Sequence, residues 1–241
     1  MRHGTIDQNA TLSRFYFLDA RIKIISILIF VVVVSLLREK YSLTVAVLFI
    51  VLLIIISKIP LIHFIKRYCY AFPFILFASL SLFLTNNIQA GFYMFIRIST
   101  CVLALLFLSS TTAFFDLLKG LQKLKIPNII IVLLMFTYRY FFVFIEEKDR
   151  MTLARKSRGF HTKSHLFDKR TMQVIAYTIG MILIRAYERG LRIYDALKVR
   201  GYEGTVKTLT KMQIKPIDYI FCFIILSLST LLVYIEWIMI L

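Results

Sequence analysis

EEKDRMTLARKSRGF, residues 146–160, and ERGLRIYDALKVRGY, residues 188–202, carry one frame twice, 42 residues apart. Glu146, Arg150, Ala154, Lys156, Arg158 and Gly159 recur as Glu188, Arg192, Ala196, Lys198, Arg200 and Gly201, and an aromatic residue follows each glycine. Acid-first pairs at i,i+4, Glu146 with Arg150 and Glu188 with Arg192, favour solvent-facing helices. Glycine just past a helix is its usual C-terminal cap, and an arginine before it sits where the helix dipole favours a cation. Both copies therefore predict a helix that ends in an exposed arginine.

Capping chemistry alone produces many arginine-glycine helix ends. Six residues repeated in register, within the one long polar segment of a hydrophobic chain, point further, to a paired docking device.

Hydrophobic residues make up 59% of the 241, in several long uncharged runs, which predicts an all-α integral membrane protein. The formal charge of +17 is clustered rather than scattered, so it marks cytoplasmic loops instead of a nucleic-acid surface. Cys69, Cys101 and Cys222 lie in apolar runs without metal or redox spacing.

Basic residues ahead of the first run, and the lack of a cleavable-signal pattern, predict a cytoplasmic N-terminus. Ile24 to Leu37 is short, but Arg21, Lys23 and Arg38 at its ends can snorkel and let it cross. Tyr41 to Ser57 returns, Leu61 to Arg67 reads as an interfacial turn, and Tyr68 to Leu84 and Ile88 to Ser110 cross next. Arg97 lies within the last of these, an ionisable residue at membrane depth. Ser109 to Pro127 holds an amphipathic surface helix with Lys119, Lys123 and Lys125 on the cytoplasmic side. Residues 146–216 hold 16 lysines and arginines against seven acids and are too polar to cross. Residues 219–235 make the last crossing.

Asn128 to Ile145 has the hydropathy of a span but is expected not to cross. Both flanks are basic, a further crossing would carry the basic segment outside, and Arg139 would sit near the bilayer centre. One long helix along the cytoplasmic edge of the bundle, from Asn128 to Arg158, is expected instead, with a second from Arg170 to Arg200. The reading is thus about five transmembrane helices plus long cytoplasmic coupling helices. It divides into residues 1–110, the coupling module 111–216 and the final helix 217–241.

The two A-x-x-x-R-G helix ends resemble the transmembrane T component of energy-coupling-factor (ECF) transporters. LDARIK at 18–23, SSTT at 109–112 followed by DLL at 116–118, YRYFFVFIEE at 138–147, ARKSRGF at 154–160 and ALKVRGYEG at 196–204 look like its cobalt and nickel branch, the CbiQ type. Ala20 stands where that family usually has proline. The resemblance implies a non-catalytic subunit in a prokaryotic plasma membrane that joins two ATP-binding-cassette (ABC) ATPase subunits to an S-type substrate-binding membrane subunit. ATP-Mg would then be handled by the ATPases, and Co2+ or Ni2+ (or a vitamin in the other branches) by the S-type subunit. Ala154, Arg158, Gly159, Ala196, Arg200 and Gly201 would contact the ATPases, supported by Arg139, Glu146, Arg150, Glu188 and Arg192.

The sequence carries no phosphate-loop, H-E-x-x-H or G-x-S-x-G frame. His161, His165 and Asp168 suggest ligands, but they follow a helix-ending glycine, where i,i+4 ligation lacks its helix, so a solvated link and no metal site is expected. An intramembrane enzyme lacks convergent ionisable residues at depth, and an ion channel leaves the repeat unexplained.

Overall fold

A computed structural model describes residues 13–84, 88–124, 126–159, 169–202, 204 and 215–240. Among these the regular elements are all helices: a 3-10 turn at Arg14–Phe17, then α1 Ala20–Leu36, α2 Lys40–Ile56, α3 Leu61–Leu84, α4 Ile88–Thr111, α5 Phe114–Lys123, α6 Asn128–Ser157, α7 Lys169–Val199 and α8 Pro216–Ile240. They form two compact units, residues 1–125 with 209–241, and residues 126–208.

In the first unit α1 is central, packed on α4, α5 and α8, while α3 lies on α4. Ile24, Ile27, Phe30 and Val34 recur every three or four residues along α1 and are buried against Leu43, Ala46 and Ile50 of α2, Phe107 of α4 and Ile225 of α8. Among the polar groups buried in this unit, two carboxylates hold helix ends together. Asp218 accepts from the backbone N–H groups of Asp19 at 2.9 Å and Lys215 at 2.7 Å, which ties the starts of α1 and α8 together. At the far ends Glu236 accepts from the N–H of Arg38 at 2.7 Å and so caps the turn between α1 and α2.

Lys23 does not snorkel. It is 1% exposed, and its ammonium donates to the carbonyl of Thr111 at 3.1 Å, where the C-terminal end of α4 favours a cation. Leu61 to Arg67 is not an interfacial turn either, because it forms the first two turns of α3, a single helix that continues through Pro73. Its polar residues serve that helix: Arg67 donates to Ser110 Oγ of α4 at 3.4 Å, and Tyr68 and Ser99 share a hydrogen bond of 2.7 Å.

The amphipathic helix α5, grouped with the coupling segment in the sequence division, packs on α1 in the first unit. Gly120 permits this approach, since a Cβ there would lie 3.1 Å from Ile24 Cδ1 and 3.4 Å from the backbone of Ala20.

Among the described residues four helices are long and apolar enough to cross a membrane: Leu61–Leu80 of α3, α4, α6 and Pro216–Ile238 of α8. The chain is an all-α, multi-pass membrane protein. The five crossings expected from sequence were α1 to α4 and α8. At 17 residues each, about 25 Å, α1 and α2 lie at the short end of the usual spanning range of about 17 to 25 residues.

Candidate coupling site

The second unit is the antiparallel crossing of α6 and α7. As α6 advances from Glu147 to Arg155, its partners on α7 retreat from Arg185 to Thr178 and Val174. Glu147 pairs with Arg185, while Arg155 donates to Thr178 Oγ1 at 2.6 Å and to the Val174 carbonyl at 3.3 Å. A second nitrogen of Arg155 reaches Thr152 Oγ1 at 3.2 Å. Arginine suits this position because its planar fork serves several acceptors at once. Around this clamp the crossing is apolar, with Phe144, Ile145, Ile175 and Ile179 among the residues lining a groove of about 460 Å³.

Beyond the clamp the two copies of the repeat end alike. Arg158 and Arg200 each follow the last helical residue, and Gly159 and Gly201 take φ of +78° and +68°. Gly159 N–H donates to the Lys156 carbonyl at 3.0 Å, and Gly201 N–H donates to the matching Lys198 carbonyl at 3.1 Å. Tyr202 N–H closes the second cap on Leu197 at 3.1 Å, completing a Schellman motif. Backbone N–H groups thus serve the Arg155 and Lys156 carbonyls at one end and the Leu197 and Lys198 carbonyls at the other, and among the described residues neither guanidinium takes part in a cap. Arg158 and Arg200 are exposed, as are Ala154, Ala196 and both glycines.

Arg158 lies three residues past Arg155, about 5 Å along α6, whereas Arg200 lies 22 residues past Thr178, about 33 Å along α7. Whatever the crossing angle, the two arginine ends are therefore roughly 30 to 40 Å apart. A groove of about 370 Å³ flanks the first, between Ala154 and Arg158 of α6 and Tyr177 and Met181 of α7.

Glu146, Arg150, Glu188 and Arg192 are exposed, as the acid-first pattern predicts. Among the described residues Glu188 and Arg192 form no ion pair; the carboxylate that bridges the helices is the neighbouring Glu147. Arg139 is exposed and lies 5.8 Å from the Tyr140 ring centroid. His161, His165 and Asp168 lie outside the described residues. Sequence reasoning missed Arg155 and Thr178 as a pair. The only available signal was a basic residue inside the repeat with no counterpart in the second copy, where Leu197 stands.

The family model described as cobalt transport protein, CbiQ, matches residues 16–212. The chain belongs to the CbiQ cobalt transport protein family. An uncharacterized protein of Methanocaldococcus jannaschii is 32% identical over 56% of this chain and 49% of its own length. The cobalt transport protein CbiQ of Rhodobacter capsulatus is 34% identical over 43% of this chain and 41% of its own length. The chain thus spans about half the length of these two relatives, or less. The energy-coupling factor transporter transmembrane protein EcfT of Listeria innocua is 24% identical over 78% of this chain and 80% of its own. The CbiQ family match contains both helix ends, α6, α7 and all of the first unit except its start and α8.

Proposed function

We propose that the chain is the energy-coupling transmembrane subunit of an ECF-type ABC importer. In this reading it joins two ABC ATPase subunits to an S-type substrate-binding subunit and catalyses nothing itself. The observation that carries the reading is the pair of glycine-capped arginine ends, exposed and roughly 30 to 40 Å apart, within a transport family. That separation suits two partner subunits rather than one. Each guanidinium, free of capping duty, offers a planar set of donors to carboxylates or carbonyls in a partner groove. ATP-driven approach of the ATPases would then move α6 and α7 and, through them, the substrate subunit.

Cobalt or nickel is the cargo that the CbiQ match favours. Vitamin import is the second reading, favoured by the longer coverage, at lower identity, of relatives named EcfT. The N-terminus and the coupling helices belong on the cytoplasmic side, where ATP is. Co-expression with candidate ATPase and substrate subunits tests the assignment: the ATPases should copurify in detergent, and cells should accumulate radioactive Co2+. Arg158→Glu or Arg200→Glu should abolish uptake, because stranding one half of a charged interface contact costs about 2 to 5 kcal/mol. Wild-type uptake by the double variant would overturn the coupling role. Accumulation of biotin instead of Co2+ would move the chain to the vitamin branch.

A further inference from the structure

In the first unit a groove of about 500 Å³ opens between the Arg14–Phe17 turn, the end of α2 at Ile56 and the first two turns of α8. Ile217, Ile220, Phe221 and Ile224 line it from one face of α8, spaced i, i+3, i+4 and i+7. Three of them remain open: Ile217 is 62% exposed, Ile220 59% and Ile224 47%. From Ile217 to Ile224 this stripe runs roughly 10 Å along the helix.

The mouth of the groove is cationic. Arg14 and Lys215 line it, both are exposed, and the Lys215 ammonium lies 5.8 Å from the centroid of the Phe17 ring, another lining residue. Arg14 N–H donates to the Ser57 carbonyl at 3.4 Å, which sets the backbone of Lys58, an exposed third cation, beside that of Arg14. The one acid in the wall, Asp218, is 1% exposed, and its oxygens are occupied by the N–H groups of Asp19 and Lys215. Charge at the mouth is therefore positive, and the channel behind it is apolar.

We propose that this groove holds an anionic phospholipid, with the headgroup phosphate between Arg14 and Lys215 and one acyl chain along the α8 stripe. Charge complementarity selects the headgroup, and the depth of the apolar stripe below the cations matches an amphiphile lying along a membrane helix. Lysines and arginines at a membrane surface favour anionic over zwitterionic lipid by about five-fold each. The inference concerns the first unit and does not depend on the ATPase-coupling reading.

Native mass spectrometry of the full-length protein, released from detergent with equimolar dioleoyl-phosphatidylglycerol and dioleoyl-phosphatidylcholine, tests it without ATPases or transport. The anionic phosphatidylglycerol should be retained in preference. Arg14→Gln with Lys215→Gln should reduce that preference about 25-fold, the product of two such losses. Ile220→Trp, which leaves the cations and fills the groove, should remove the bound lipid and provides a check if the charge variant folds poorly. Equal retention of the two lipids would overturn the proposal, as would an unchanged preference in both variants. Phosphatidylglycerol retention that appears only after removal of residues 1–12 would assign the groove to that segment and overturn it as well.

Discussion

Gly159 and Gly201 hold backbone angles that side-chain-bearing residues reach at a cost of about 1 to 2 kcal/mol, and open space surrounds the Cβ position of each. Strain rather than collision therefore sets what these positions tolerate. Gly201→Val should lower stability by about 2 kcal/mol and loosen the end of α7, whereas Gly201→Asn should lose less than half of that, because asparagine visits this conformation readily. Thermal unfolding in detergent checks the order, and equal losses would contradict it. Arg155 makes a different kind of contribution, since it touches no proposed partner and instead holds α6 against α7. Arg155→Leu should cost about 1.5 to 3 kcal/mol of stability, the range for hydrogen bonds made by a charged group. In proteoliposomes, however, it should lower uptake more than ATP hydrolysis, and Thr178→Val should reproduce the effect in part. A proportional fall in both rates would reduce Arg155 to an ordinary structural contact. The arginine ends were legible in the sequence because capping is local chemistry written into six consecutive-turn residues. The Arg155 to Thr178 contact was not, because its partners are 23 residues apart and meet only through a crossing that no periodicity specifies.

At the level of elements, α5 shows why amphipathicity locates a helix but not its neighbour. The SSTT and DLL pattern predicts a surface helix with an apolar face, and the structure seats that face on α1 by way of Gly120. Gly120→Leu should force Ile24 and the Ala20 backbone away and cost about 1 to 3 kcal/mol, as overpacking does. Gly120→Ala should cost much less, since Ile24 Cδ1 is a side-chain terminus that can shift. Unfolding midpoints of the two variants check this, and equal midpoints would mean that α5 is not tightly docked. The first two turns of α3 mislead a reader of sequence for a related reason. His63, Lys66 and Arg67 interrupt an apolar run and read as an interface, but their spacing of three and four residues also fits a helix with a polar side. Lys23 misleads likewise, because a lysine at a helix start looks bound for solvent until the carbonyl end of α4 arrives beside it.

Across the described residues, helix bounds followed from sequence to within about five residues except at α3, which starts seven residues before the expected Tyr68, because uncharged runs are strong local signals and the polar residues at 63, 66 and 67 hide the start of that helix. Which helices cross did not, because α1, α2 and α6 divide on criteria that compete. Length and apolarity favour α6, while basic residues on both its flanks argue against a crossing. Single cysteines at Asn128 and Glu147, in a background without Cys69, Cys101 and Cys222, decide between them in intact cells. Both should be shielded from an impermeant external thiol reagent, and labelling of Glu147→Cys alone would establish α6 as a true span.

The off-centre position of the clamp makes the α6 and α7 crossing a lever with unequal arms. Arg158 sits about 5 Å from the fulcrum at Arg155 and Thr178, and Arg200 about 33 Å from it. For any rotation about that point, the Arg200 end sweeps roughly seven times the arc of the Arg158 end. In the proposed two-partner reading, partners held at the two arginines would move by very different strokes for a rotation about that contact, one grip serving as an anchor and the other as the handle.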